Sequence, residues 1–213
     1  MTKKLLGETT YKQTALGIIP RSQLIPLEVE GIKRAWDFVL QQKVNGRLPV
    51  TVSFLKRIHR EGFGWIFPEA GGKFRTLEVS VSRHTPPKSY EVPQLMEGFL
   101  RDLRVRMRYL PGIDHETFLS ELIALLAWAH HWFLWIHPFQ DYNGRIGRLL
   151  INIILLSYDL PPIELKVETA TGRKRYIEAL QLADDHRFEK LEQLVSEALN
   201  EAVEEISSGQ NKK

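Results

Sequence analysis

Apolar residues recur at helical spacing along most of the chain. After Pro26, the residues Val29, Ile32, Ala35, Trp36, Val39 and Leu40 fall near i, i+3, i+4 and i+7. They predict a first helix that ends at Asn45-Gly46. A second helix begins near Thr51 and carries Phe54, Leu55, Ile58 and Phe63. Val92–Leu110 sets Leu95, Phe99, Leu100, Leu103 and Met107 on one face. Asp114-His115-Glu116 opens a long central helix that runs to about His137. Another helix spans about Asn143 to Tyr158 and closes at Pro161-Pro162. The last two cover roughly Gly172–Ala183 and His186–Ile206. One segment breaks the pattern. After Gly71-Gly72, the residues Leu77, Val79 and Val81 alternate with polar ones until Pro86-Pro87 stops the run, which is strand period. A lone strand or hairpin in a helical chain has no sheet to join, so its edges should stay open. The predicted fold class is all-α with one short β-hairpin. Residues 1–26 read as an arm, 27–206 as one domain and 207–213 as a polar tail.

With 213 residues, 43% of them hydrophobic, the chain can bury a sizeable core. The net charge of +3 is the small remainder of 29 basic and 26 acidic residues. Arg101 to Arg108 reads as a solvated helix face, and no nucleic acid is expected as a partner. There are no cysteines, which excludes disulfides, thiolate zinc sites and cysteine nucleophiles. Met1–Thr10 has no apolar run of the signal-peptide kind. The longest uncharged stretch, Leu122–Pro138, is interrupted by His130, His131 and His137 and is short for a bilayer span. We read it as a core helix. The expected location is cytoplasmic, with no membrane partner.

The chemistry concentrates in His137-Pro138-Phe139-Gln140-Asp141-Tyr142-Asn143-Gly144-Arg145-Ile146-Gly147-Arg148. The stretch lies between two apolar helices, so it is a loop that leads into a helix N-terminus. Free backbone N–H groups and the helix dipole make such a place an anion site. Asn143 suits the N-cap, and Gly144 lets a ligand approach the backbone. Arg145 and Arg148 share a helix face, and two guanidinium groups there suit a polyphosphate. Asp141 just before the cap suits Mg²⁺, which takes few protein oxygens when phosphates supply others. His137 can act as a general base near neutral pH. These parts fit transfer of a phosphate-containing group to a hydroxyl, and by themselves do not choose between AMP and phosphoryl transfer. His130 and His131 read as packed helix residues rather than a metal cluster, and Trp128, Trp132 and Trp135 as core.

This stretch resembles the Fic signature, His-Pro-Phe-x-Asp/Glu-Gly-Asn-Gly-Arg-x-x-Arg, at eight of nine specified positions. Gly72-Lys73-Phe74-Arg75 with the Val-rich run and Pro86-Pro87 is similar to the family's β-hairpin flap. Leu160-Pro161-Pro162 and Arg173-x-x-Tyr176 resemble the segment after the signature helix. The resemblance covers about residues 27–200. It implies a Fic-type helical bundle that moves AMP from ATP onto a Ser, Thr or Tyr hydroxyl of another protein. It implies that His137 deprotonates the hydroxyl and that Asp141 holds Mg²⁺ between the α- and β-phosphates. Asn143 and Gly144 would line the anion hole, and Arg145 and Arg148 would hold the β- and γ-phosphates. Tyr142 and Tyr176 would lie beside the nucleotide. The flap, through Arg75, Thr76, Leu77 and Val79, would pair with the target by strand addition.

The chain departs from the signature at Tyr142, where the family has glycine. A ring there either lies over the entrance or turns inward and takes the nucleotide's place, which would leave a silent binding module. The related Doc kinases carry Lys where this chain has Gly144 and lack the last arginine, so Gly144 and Arg148 favour AMP transfer. Many Fic proteins are held off by the pattern Ser/Thr-x-x-x-Glu-Gly/Asn. No complete copy is present: Glu30-Gly31 has Pro26, Glu61-Gly62 has Arg57, and Glu97-Gly98 has Pro93 at the hydroxyl position. Glu30 is the nearest inhibitory candidate. A separate antitoxin-like inhibitor and homo-oligomer formation are left open as further partners.

Overall fold

The computed structural model describes residues 11–44, 48–81 and 84–210. Its element order is β1 (Tyr11–Thr14), β2 (Gly17–Pro20), α1 (Arg21–Val44), α2 (Val52–Phe63), α3 (Val92–Tyr109), α4 (Phe118–Ile136), α5 (Asn143–Leu156), α6 (Ala170–Asp184) and α7 (Glu189–Gln210). The class is all-α with one two-stranded hairpin, as the pattern predicts. The hairpin lies elsewhere. It is β1 paired antiparallel with β2, from Tyr11 opposite Pro20 to Thr14 opposite Gly17, inside the segment read as an arm. Gly17 takes φ +94, a conformation that costs glycine little. The Ala15 N–H donates to the Ile66 carbonyl (2.8 Å) and ties the hairpin to the body.

The run with strand period, residues 76–81, forms no ladder. It carries one isolated bridge, Val81 to His84, with N–H···O distances of 3.1 and 2.9 Å. The flap expected from the resemblance extends to Ser82, which lies outside the described residues, as do Asn45 and Gly46.

α4 is the central helix, packed against α3, α5, α6 and α7. It is long and apolar enough to cross a membrane by length and composition, but Leu122, Leu126, Phe133 and Ile136 are buried in this bundle. It starts at Phe118, a turn later than expected, and Asp114-His115-Glu116 precede it. α1 starts at Arg21, so Pro26 lies inside the helix rather than opening it. α7 runs through Ser207 and Ser208, which the composition assigned to a tail.

α1 and α2 cross closely. A Cβ on Gly31 would lie 2.5 Å from the Gly62 carbonyl oxygen. Glycine is therefore required at Gly31, and a Cβ on Gly62 would sit tightly at 3.0 Å from Ala35 Cβ and the Gly31 carbonyl oxygen: the glycines of two imperfect Glu-Gly pairs let two helices touch. The crossing also sets the buried face of α1 as Leu24, Glu28, Gly31, Ala35, Phe38 and Val39. Val29, Ile32 and Leu40, expected on the core face, are exposed.

Candidate active site

α4 ends at His137 and α5 begins after Tyr142. Both flanking residues are non-glycine with positive φ, at 51° and 63°. Left-handed backbone at such residues is strained by about 1–3 kcal/mol and persists only where the surroundings impose it. Three clamps impose it here. The Phe139 N–H donates to Asn143 Oδ1 (2.8 Å), and Asn143 Nδ2 donates to the Phe139 carbonyl (2.8 Å). Arg75 donates through Nε to the His137 carbonyl (2.8 Å) and through Nη2 to the Pro87 carbonyl, and its N–H donates to the Pro138 carbonyl (2.9 Å). His59 stacks on Phe139 with ring centroids 4.0 Å apart. Its Nδ1 accepts the Gly72 N–H (3.0 Å), so Nε2 carries the proton and points at the Asp141 carbonyl (3.3 Å). Burial lowers its pKa to about 4, against the Asp141 contact, and keeps it neutral.

These clamps revise two expected roles. The side-chain amide of Asn143 is closed on the loop, so what the residue offers an anion is its backbone N–H. Arg145 and Ile146 donate to the Tyr142 carbonyl (3.0 Å each), and the N–H groups of Asn143 and Gly144 are the ones at the helix mouth. The Arg75 side chain is buried under the loop, where it holds the carbonyl end of α4. It cannot reach a target chain. Thr76 and Leu77 are exposed and Val79 half-buried.

His137 is half-buried. Burial pushes its pKa down to about 4, with a hydrogen bond to the Leu134 carbonyl opposing this and the charge of Arg75 adding to it. The ring is neutral at physiological pH, the form a general base requires. Asp141 turns Oδ1 to the Tyr142 N–H (3.1 Å) and Oδ2 to Lys12 Nζ of β1 (2.7 Å). A carboxylate half exposed and already holding a cation fits a Mg²⁺ ligand whose other ligands are phosphate oxygens. Among the described residues, no group of three or more acidic or histidine side chains is arranged for a metal.

The two arginines diverge. Arg145 donates through Nη2 to Glu28 Oε2 (2.9 Å) and lies 5.2 Å over the Tyr142 ring. Arg148 bonds to the Tyr176 hydroxyl, which contacts His130 Nε2 at 2.6 Å. Burial lowers His130 to about 3 and raises Tyr176 to about 12. Among the described residues no carboxylate is paired with Arg148. Both arginines open on a cavity of about 560 Å³ that runs along α5 past Leu149 and Asn152, with Trp36 and Leu165 opposite.

Tyr142 and Tyr176 are not positioned as free nucleotide contacts. Tyr176 is buried against His130. Tyr142 is 9% exposed, stacked on Phe63 at 3.9 Å and 9°, and its hydroxyl donates to Glu28 Oε1 (3.0 Å). The ring lies neither over the entrance nor in the cavity wall. Burial and the charge of Glu28 push its pKa up, so the phenol keeps its proton. Glu30 is partly exposed and paired with Arg34 (3.0 Å), and among the described residues it pairs with neither signature arginine. The carboxylate that meets Arg145 is Glu28.

Comparison with known proteins places this geometry. The model of the Fic/DOC family matches residues 49–155, half of the chain. The chain belongs to the Fic/DOC family. A protein adenylyltransferase Fic from Culex quinquefasciatus is 32% identical over 158 residues, which cover 74% of this chain and 29% of that protein. A protein of the same name from Nematostella vectensis is 30% identical over 172 residues, 81% of this chain and 38% of that one. The chain thus spans about a third of the curated relatives it matches. Among solved structures, Fic-1 from C. elegans superposes with a TM-score of 0.68 at 25% identity, over 87% of this chain and 52% of that one. The Bartonella tribocorum BepC protein, solved with bound AMPPNP, has a TM-score of 0.65 at 17% identity and covers 91% and 94%. That likeness shows the Fic fold alone.

Lys12, Glu28 and His59 were not singled out from sequence. For Glu28 a signal was available. It lies on the same helical face as Leu24, Gly31 and Ala35, and a carboxylate on a buried face requires cationic or hydroxyl partners. Lys12 and His59 carry no comparable mark.

Proposed function

We propose that the chain is a protein adenylyltransferase that moves AMP from ATP to a hydroxyl side chain of a target protein. The reading rests chiefly on one arrangement. A neutral imidazole ends α4, an anion-binding helix N-terminus opens α5, and the clamped loop between them carries an accessible carboxylate. His137 takes the proton of the target hydroxyl as its oxygen bonds to the α-phosphorus. The bond from that phosphorus to the oxygen bridging to the β-phosphate breaks, and pyrophosphate leaves. The N–H groups of Asn143 and Gly144 face the charge that develops on the phosphate oxygens. Arg145 and Arg148 hold the β- and γ-phosphates, for which the adjoining cavity has room. Asp141, together with phosphate oxygens, would hold Mg²⁺, which would supply charge neutralisation. The names of the curated relatives and the AMPPNP held by the BepC protein support ATP as donor.

The target strand adds to the exposed edge at Thr76, Leu77 and Val79, pairing through backbone. The protein acts in the cytoplasm. A separate antitoxin-like chain is one candidate inhibitor; within this sequence the nearest candidate glutamate, Glu30, pairs with Arg34. The test is mass spectrometry of a lysate incubated with the protein, ATP and Mg²⁺. A gain of AMP on a hydroxyl, absent with His137→Ala, is expected. A gain of phosphate would assign the chain to phosphoryl transfer, and no gain would make it a binding module.

A further inference from the structure

We propose that Glu28 and Tyr142 are positioning residues for Arg145, fixing the direction from which its guanidinium meets the phosphates of the donor. The identity of that ligand rests on the AMP-transfer reading; the way Arg145 is held does not.

Glu28 is 1% exposed and lies in α1, more than 100 positions from the residues it touches in the signature (|i−j| of 114 and 117). A buried carboxylate is tolerated only when its oxygens are satisfied. Here Oε1 accepts from Arg21 and from the Tyr142 hydroxyl, and Oε2 accepts from Arg145. Arg145 is thereby held at one end by a carboxylate and from below by the Tyr142 ring. Its side chain keeps 26% exposure, and the residue lines the cavity. The donors not used by Glu28 are the ones left for a ligand. A guanidinium already fixed on two sides gives up little further freedom when it takes a phosphate.

The same contacts explain how tyrosine is accommodated where the family has glycine. Its φ of 63° is a position glycine adopts freely and tyrosine does not. The stacking on Phe63 and the bond to Glu28 offset that strain, and they exist only because the residue has a phenol ring. Tyr142 is therefore neither plug nor adenine platform; it is a second donor to Glu28 and a face beneath Arg145. A role for Glu28 as competitor with phosphate fits the geometry poorly. Releasing Arg145 would leave a buried oxygen without its partner.

The test is a double-mutant cycle on Mg-ATP binding, measured by calorimetry with thermal melts in parallel. Glu28→Gln is expected to weaken binding about tenfold and Tyr142→Phe about threefold, the scale of one charge-assisted and one ordinary hydrogen bond. Neither should weaken it further in an Arg145→Ala background. Equal losses with and without Arg145 would reduce both residues to general fold support and overturn the proposal. Tighter ATP binding by Glu28→Gln would also overturn it, by making Glu28 a competitor. Should Glu28→Gln fail to fold, Tyr142→Phe, which removes a single hydroxyl, carries the same cycle. If the wild type binds no ATP, the AMP-transfer reading fails, and the Arg145 Nη–H signal in NMR decides the positioning claim. That signal should exchange slowly in the wild type and quickly in both variants; unchanged exchange overturns the claim.

Discussion

Arg145 and Arg148 leave one face of α5 about a turn apart and enter opposite surroundings. Arg145 turns toward α1 and α2 and meets the Glu28 carboxylate. Arg148 turns toward α4 and α6 and meets neutral partners, the Tyr176 hydroxyl and, beyond it, a His130 that burial keeps unprotonated. One charge is compensated and fixed in direction. The other is held in place without being compensated, and keeps its full attraction for an anion. The two spacings look equivalent in sequence, and the difference between them lies wholly in what other helices bring. A site that must both orient a polyphosphate and attract it can divide those tasks in this way.

The comparison is broken most severely at the uncompensated arginine. Arg148→Ala should weaken ATP binding by roughly 10- to 100-fold, the range of about 1.5–3 kcal/mol for a hydrogen bond to a charged group. ADP, which lacks the phosphate assigned to this arginine, should lose much less. Equal losses for both nucleotides in a titration would give Arg148 another role.

Acid sharpens the comparison, because the Arg148 side depends on a neutral histidine. His130 is lowered to about 3, and His59 and His137 to about 4, all mainly by burial. In the unfolded chain each titrates near 6.5. Between about 6.5 and 4 the unfolded chain therefore binds protons that the folded one refuses, and stability rises with pH across that window. Urea midpoints should be flat above about pH 7 and fall steadily below about 6.5. A midpoint independent of pH down to about 4.5 would contradict these environments. For the same reason the rate of transfer should show no step near 6.5.

The smallest effect concerns the cation already beside Asp141. Lys12 forms a partly exposed pair with it, and such pairs are worth about 0.2–1 kcal/mol. Lys12→Ala should lower the Mg²⁺ concentration that half-saturates ATP binding by up to about fivefold. An unchanged midpoint would mean that Lys12 does not compete with the metal.

What could be read in advance follows from how local each signal is. The signature loop places base, carboxylate, N-terminal N–H groups and both arginines within one short run, so composition and helical spacing suffice to locate them. Their partners come from elsewhere. Glu28 was hidden by the face of α1: counting apolar residues puts Val29, Ile32 and Leu40 inward, whereas the Gly31–Gly62 contact turns the helix so that Leu24, Glu28 and Ala35 go in. Tertiary approach at two glycines outweighed the apolar count. The β1–β2 hairpin lacks an Asn-Gly or Asp-Gly turn; its corner, Thr14 to Gly17, is closed by the Thr14 hydroxyl and one glycine. The flap shows the reverse case. Its alternation was real, but Arg75 pins its base to the end of α4, and among the described residues no strand pairs along it. Tyr142 was recognised as the departure, but its direction depended on Phe63 and Glu28, neither adjacent in sequence.

The central claim is that AMP is transferred and that His137 is the base. The most direct test is to incubate the protein, Mg²⁺ and a modifiable target with ATP labelled in turn at the α- and γ-phosphorus. The account predicts that α-label is retained on the protein, that γ-label is released in pyrophosphate, and that His137→Ala cuts the rate by about 10²–10⁴ while ATP still binds. Retention of γ-label, or full activity in His137→Ala, would contradict it.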